Sequence, residues 1–393
     1  MDDNNRINRL VIIGNGFDLA HGLKTKYEQF ICWYLGDFFR KLFDSEEGSI
    51  SRHNDELLDI KLFSKQQYTF QFPNETFTSS PKDAFFNRNE EVDNLEFLTE
   101  LGNIITRLRS NIRFQVTPSS YLKKTDFLER ILKNIASKGW TDIESDYYAL
   151  LKENADNVKF CESLNKQMDF LRDKLAEYLG TQGTPKKISG FSDIFDSYIA
   201  PSDIASSRLF DFHYYGYIPQ KTFFLDFNYT PTTGMYENSS MSVLKIHGSL
   251  GNTNSMIFGY GDEMDKDFQE LEDRNENELL KNAKSVKYLE DDKYRTLMKF
   301  IGGSPYQVFI MGHSCGNSDR TLLNTIFEHE NCISVKPFYY KWGENEGDDD
   351  YSNITQNIYR NFKDKTLFRD RVVNKTQCEP MPQAEKKEDE NRN

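Results

Sequence analysis

Leu10-Val11-Ile12-Ile13-Gly14-Asn15-Gly16-Phe17-Asp18 constrains this chain more than any other segment. An apolar, β-branched run stops at a Gly-x-Gly turn, and helical periodicity begins at once, so the segment reads as strand, tight loop and helix start. Glycines let the backbone approach a pyrophosphate, and the N–H groups and positive dipole end of the following helix attract negative charge. A nucleotide held by Gly14, Asn15, Gly16, Phe17 and Asp18 is therefore one reading. The other is a plain strand-to-helix turn in an α/β core, because Leu19 stands where the dinucleotide fingerprint has its third glycine.

Five short apolar runs define the strands, near residues 9–13, 221–227, 242–247, 307–311 and 333–338. Helical stripes lie between them, so the expected fold is α/β with a mostly parallel, Rossmann-like sheet. Residues 1–44 supply its first part, with Thr25 to Phe43 as a helix packed on the sheet. Residues 45–200 read as a large, mostly helical insertion, polar with aromatic islands over Ser45 to Asn94 and helical at Val92 to Arg113, Thr125 to Ser137, Asp142 to Asn154 and Phe160 to Leu179. Residues 201–373 complete the core and carry an acidic, solvated helical excursion at 261–293, and residues 374–393 are expected to be a disordered tail.

Composition excludes several functions. A net charge of −13 argues against a protein that coats nucleic acid, which needs a basic field. No stretch of about eighteen apolar residues is present, so no membrane span is expected and the protein is expected to be cytoplasmic. The 5 cysteines lack a C-x-x-C pair and the 6 histidines lack H-x-x-x-H spacing, so neither a metal site nor a bound cofactor is expected.

In open α/β sheets ligands lie beyond the carboxyl ends of the strands. Four polar clusters stand there: the Gly14 loop, Phe227-Asn228-Tyr229-Thr230, Ile246-His247-Gly248-Ser249, and Gly312-His313-Ser314-Cys315-Gly316 with Asn317 and Asp319 after it. Asp319 also has a plain reading, as the cap of the helix that follows. His247 alone also reads as a satisfied strand-end histidine.

Ile12 to Tyr27, Trp140-Thr141-Asp142-Ile143-Glu144, Phe227 to Thr230, Ile246 to Leu250 and Ile310 to Ser314 resemble, in order and spread, the motif series of the AbiH family of bacterial phage abortive-infection proteins. That family is distantly similar to sirtuin-like NAD-binding domains. The resemblance implies an anti-phage effector that hydrolyses NAD, as substrate, to nicotinamide and ADP-ribose. It assigns His247 and Asn228 to catalysis, and the Gly14 loop, Gly248, Gly312, Ser314 and Asp319 to nucleotide binding. A phage-derived trigger and a homo-oligomer are the implied partners. No zinc-binding cysteine quartet is present, so a protein deacetylase is not expected.

Two other functions fit the same residues. One is a nucleotide-binding sensor or toxin component without turnover. The other is a serine hydrolase, because Gly312-His313-Ser314-Cys315-Gly316 satisfies G-x-S-x-G between a strand and a helix. The only histidine after it, His329, lies some 11 residues along the expected helix, roughly 16 Å away, so a triad needs an upstream histidine such as His247.

Overall fold

A computed structural model describes residues 7–45, 47, 50–63, 68–72, 75–79, 121–138, 142–205, 219–345 and 347–384. The chain divides into two compact units, residues 26–178 and the remainder. The remainder begins with β1 (Asn8–Ile13) and α1 (Asn15–Ala20).

The second unit holds α2 (Tyr27–Asp44), β2 (Ile50–Asn54), β3 (Leu58–Phe63), β4 (Tyr68–Phe72), β5 (Glu75–Ser79), β6 (Tyr121–Lys124), α3 (Asp126–Lys138), α4 (Ile143–Glu153) and most of α5 (Val158–Gly180). The sequence reading places no strand in this stretch, yet β2, β3 and β6 form an antiparallel sheet and β4 pairs with β5. Asp55 starts the β2–β3 turn by accepting from the Leu57 and Leu58 N–H groups, a local bond that hydrophobic periodicity does not report. The helix expected to pack on the parallel sheet is α2, and it belongs to this unit, with Tyr34 set edge-on to Phe170 at 6.1 Å between ring centroids. Asp142 caps α4 by accepting from the Ser145 N–H. The helix expected at Val92 to Arg113, and Trp140 and Thr141, lie outside the described residues.

The first unit continues with α6 (Ser189–Phe195), β7 (Thr222–Asp226), β8 (Met241–Lys245), α7 (Lys266–Asp273), α8 (Asn277–Leu280), α9 (Lys284–Lys287), α10 (Lys293–Gly303), β9 (Tyr306–Met311), α11 (Arg320–Glu328), β10 (Cys332–Phe338), α12 (Tyr351–Asn361) and α13 (Lys365–Arg371). Its five strands pair in the order β10-β9-β1-β7-β8, and every pairing is parallel. The five strands anticipated from the sequence are these five. Strands β1 and β9 are buried at every residue, as a parallel sheet covered on both faces requires. Leu10, Ile12, Leu225, Val308 and Ile310 join a core with Leu297 and Ile301 of α10, Leu323 and Ile326 of α11 and Ile358 of α12. The alternate residues Val11, Ile13, Phe224, Phe309 and Met311 join a second core with Phe17, Phe191 and Phe195.

Along the chain the sheet grows outward from β1 in one direction through β7 and β8, then in the other through β9 and β10. The connections therefore reverse between β1 and β9, and a reversal of this kind opens a crevice at the strand carboxyl ends.

Two expectations about the ends of this unit need correcting. Residues 375–384 are not a disordered tail: Met381 donates its N–H to the Tyr339 carbonyl at 2.8 Å and is buried in the second core, and Ala384 N–H bonds the Ala20 carbonyl. Backbone bonds, the Lys336–Glu379 ion pair and the single apolar Met381 together supply that docking, and composition reports none of these but the last. The acidic excursion is helical as expected but not simply solvated, since Phe268, Leu271, Leu279 and Lys284 are buried.

Candidate functional site

The Gly14 and Gly312 loops meet where the topology reverses. Gly14 N–H donates to the Met311 carbonyl at 3.1 Å and Gly16 N–H to the Gly312 carbonyl at 2.8 Å. A Cβ at Gly14 would lie 2.5 Å from His313 Cα, and one at Gly16 2.7 Å from Gly312 Cα. Gly312 itself has φ +70°, and a Cβ there would stand 2.1 Å from the Phe17 nitrogen. The glycine pattern is thus already required by two backbones in contact, with or without a phosphate. Phe17 points into the aromatic core, 4.7 Å from Phe191 between centroids, and Asn15 is exposed, its side-chain oxygen accepting from Thr25.

Asn228, just past β7, donates Nδ2–H to the Gly14 carbonyl at 3.0 Å and joins the second cluster to the first. Its position is fixed from below, because its N–H bonds Asp226 Oδ1 while Lys245 spans Asp226 Oδ2 at 2.6 Å and the Asn228 and Thr230 carbonyls. Thr230 in turn donates to Asp18 Oδ2 at 2.6 Å, and Asp18 Oδ1 is buried with no hydrogen-bond partner among the described residues. Burial pushes the Asp18 carboxyl up to about 6 against the opposing bonds from Thr230 and Thr232.

The third and fourth clusters meet on Asp319. His247 Nε2 lies 3.0 Å from the Tyr288 hydroxyl and 3.4 Å from Asp319 Oδ1, while His313 Nε2 lies 3.5 Å from Asp319 Oδ2. Lys284 Nζ donates to Asp319 Oδ1 at 2.8 Å. Phe227 packs edge-on to both imidazoles, 4.9 Å from His247 and 4.3 Å from His313 between centroids. Gly248 (φ +87°) turns the chain after His247 tightly against Ser255, whose carbonyl a Cβ would meet at 2.1 Å. His313 Nδ1 accepts the Cys315 N–H, so a neutral His313 carries its proton on Nε2 and presents it to Asp319.

Charge fixes the protonation states. Burial, and then the Lys284 ammonium, lower the His247 imidazole to about 3 against the pull of Asp319, so His247 is neutral at physiological pH. Burial alone would raise Asp319, but Lys284 and the bond from His313 outweigh it and hold the carboxyl well below the usual range. Asp319 occupies the N-cap position of α11 yet caps nothing with its side chain, which excludes the helix-cap reading. The sequence reading names His313 only as a member of the fourth cluster, with no role, and does not single out Lys284 or Tyr288. Lys284 sits in an acidic stretch with no local signal, and only its burial 35 residues from Asp319 reveals it.

Ser314 does not form a nucleophile elbow. Its side chain is exposed, its carbonyl accepts from Asn357, and the left-handed conformation falls on the next residue, buried Cys315, at φ 52°. An elbow places the strained backbone at the nucleophile itself. His329 follows the far end of α11, its Nδ1 accepting the Asn331 N–H, and so stands at the start of β10 rather than at the strand carboxyl ends.

Among the described residues no three His, Cys, Asp or Glu side chains are disposed to hold a metal ion, and no helix is long and apolar enough to cross a membrane. No curated protein and no solved structure matches the chain. The family described as bacteriophage abortive infection AbiH does match, over residues 10–341, and its span takes in all four strand-end clusters together with Lys284 and Tyr288. This chain belongs to the AbiH family.

Proposed function

We propose that this AbiH protein is a phage-defence effector that binds NAD at the strand ends of a Rossmann-like, sirtuin-like core and hydrolyses it to nicotinamide and ADP-ribose. The observation that carries the reading is the His247–Asp319 pair: a buried imidazole held neutral, 3.4 Å from an ionised carboxylate, beyond the carboxyl end of β8. Cleavage of the nicotinamide–ribose bond passes through an oxocarbenium-like centre. Nicotinamide departs with the bonding electron pair, water adds to the anomeric carbon, and the proton of that water goes to His247 Nε2. Asp319 then stabilises the imidazolium, and Asn228 orients the ribose or the water. Tyr288 must yield its bond to His247 Nε2 before the base can act, which holds the site off until a trigger, phage-derived in this reading, arrives. The unit of residues 26–178 is the proposed receiver of that trigger or of a second copy of the chain.

The test incubates the purified full chain with NAD, with and without lysate of phage-infected cells, and measures free nicotinamide. His247→Ala is expected to slow release by roughly 10²–10⁴-fold. Ser314→Ala is expected to retain turnover. Release by His247→Ala at the wild-type rate refutes the assignment. Calorimetric binding of NAD with no release under either condition replaces it with the sensor reading, which the hydrogen bond between Tyr288 and His247 favours.

A further inference from the structure

Beside the Lys284–Asp319 pair lies a cavity of about 170 Å³ whose wall, Asp319 and the adjoining Ser318 apart, is built outside the strand-end clusters. Tyr288 and Asp319 belong to its wall and also touch His247, so the cavity and the proposed base share a partition. The cavity falls below the ~300–1,000 Å³ of pockets that enclose a drug-sized ligand, so it accommodates one ring and not a dinucleotide.

The wall chemistry selects the ring. Tyr288 and Tyr294 lie nearly parallel, 11° apart with centroids at 6.0 Å, and both line the cavity with Leu322. Two carboxylates, Glu263 and Asp319, face one ammonium, Lys284, which is already paired with Asp319. Among the described residues of the lining, carboxylates therefore outnumber ammonium groups by one, beside two aromatic rings. The carboxylate of Glu263 acts directly on the Tyr294 phenol, raising it further after burial has done so. Aromatic faces and an uncompensated carboxylate attract an organic cation and give nothing to an anion.

We infer that this cavity, bounded by Glu263, Tyr288, Tyr294 and Asp319, is a subsite for a small planar organic cation. The pyridinium ring of NAD is such a group, and that identification alone rests on the proposed hydrolysis. Cleavage turns the pyridinium into neutral nicotinamide and removes the charge that holds it, so the product leaves readily.

Calorimetry on the full chain with 1-methylnicotinamide as the cationic probe, and with neutral nicotinamide and ADP-ribose, tests this. The cation is expected to bind more tightly than neutral nicotinamide, and Glu263→Gln and Tyr294→Leu are each expected to weaken it by roughly two- to fivefold. Glu263 is exposed and Tyr294 only half-buried, so both variants fold. No binding of the cation, equal binding of the neutral ring, or indifference to both variants overturns the subsite. A chain that releases nicotinamide from NAD yet ignores 1-methylnicotinamide refutes the subsite and leaves the hydrolysis standing. A chain that binds the cation through Glu263 and Tyr294 but leaves NAD intact does the reverse.

Discussion

Lys284→Met is the most informative single change, because one ammonium sets the charge state of the whole cluster. The Lys284 side chain is 2% exposed and that of Asp319 11%, at an Nζ–Oδ1 distance of 2.8 Å, so the pair is shielded from bulk water and the small cavity beside it makes good only part of the lost partner. Methionine nearly conserves the volume, and the penalty is then the stranded carboxylate rather than a cavity. Breaking a buried pair from one side costs ~3–5 kcal/mol. Against a typical total of ~5–15 kcal/mol that is a large share, but it leaves a folded population. Urea unfolding followed by far-UV circular dichroism measures it, with an unchanged slope showing that the compactness of the two states is the same. The double variant Lys284→Met/Asp319→Leu is expected to cost no more than the single one, since no charge is left unpaired. Proton NMR gives a second readout: the Lys284 charge helps hold His247 at about 3, so its removal raises that pKa toward the ordinary 6.5. A loss below about 1 kcal/mol together with an unmoved His247 titration refutes the argument.

Two further outcomes follow from the strand-end loops. Asp18 titrates near 6 in the fold against 3.8 when unfolded, so its contribution is complete below pH 3.8 and is lost as pH rises through about 6. Asp18→Asn is therefore expected to stabilise the protein by up to ~3 kcal/mol above pH 7 and by nothing below pH 4, and a gain independent of pH contradicts this. Gly312→Ala places a Cβ 2.1 Å from the Phe17 nitrogen at φ +70° and is expected to cost ~2 kcal/mol or more, whereas Gly251→Ala, with nothing within 4 Å, stays within about 0.5 kcal/mol in the same thermal melts.

What is local in this protein can be read from its residues. The runs ending at Ile13, Asp226, Met311 and Phe338 are rich in apolar residues because those strands are buried throughout, and the partly buried edge run ending at Lys245 keeps Met241, Val243 and Leu244, so all five strands and the polar groups after them were legible. The family was legible too, because it is carried by short local motifs, most of them at those strand ends, and its match spans residues 10–341. Tertiary structure decided the rest. Strand order, and with it the reversal between β1 and β9, depends on pairing between segments hundreds of residues apart. The glycines of the first loop looked like a phosphate signature, yet their immediate physical requirement is contact with Gly312, which no local pattern contains. Asp319 had the sequence context of a helix cap and became the centre of a charge cluster only when folding brought Lys284, His247 and His313 to it. Hydrophobic periodicity reports which face of a segment is buried, whereas a buried charge is stabilised by the partner across from it, and that partner is chosen by the fold.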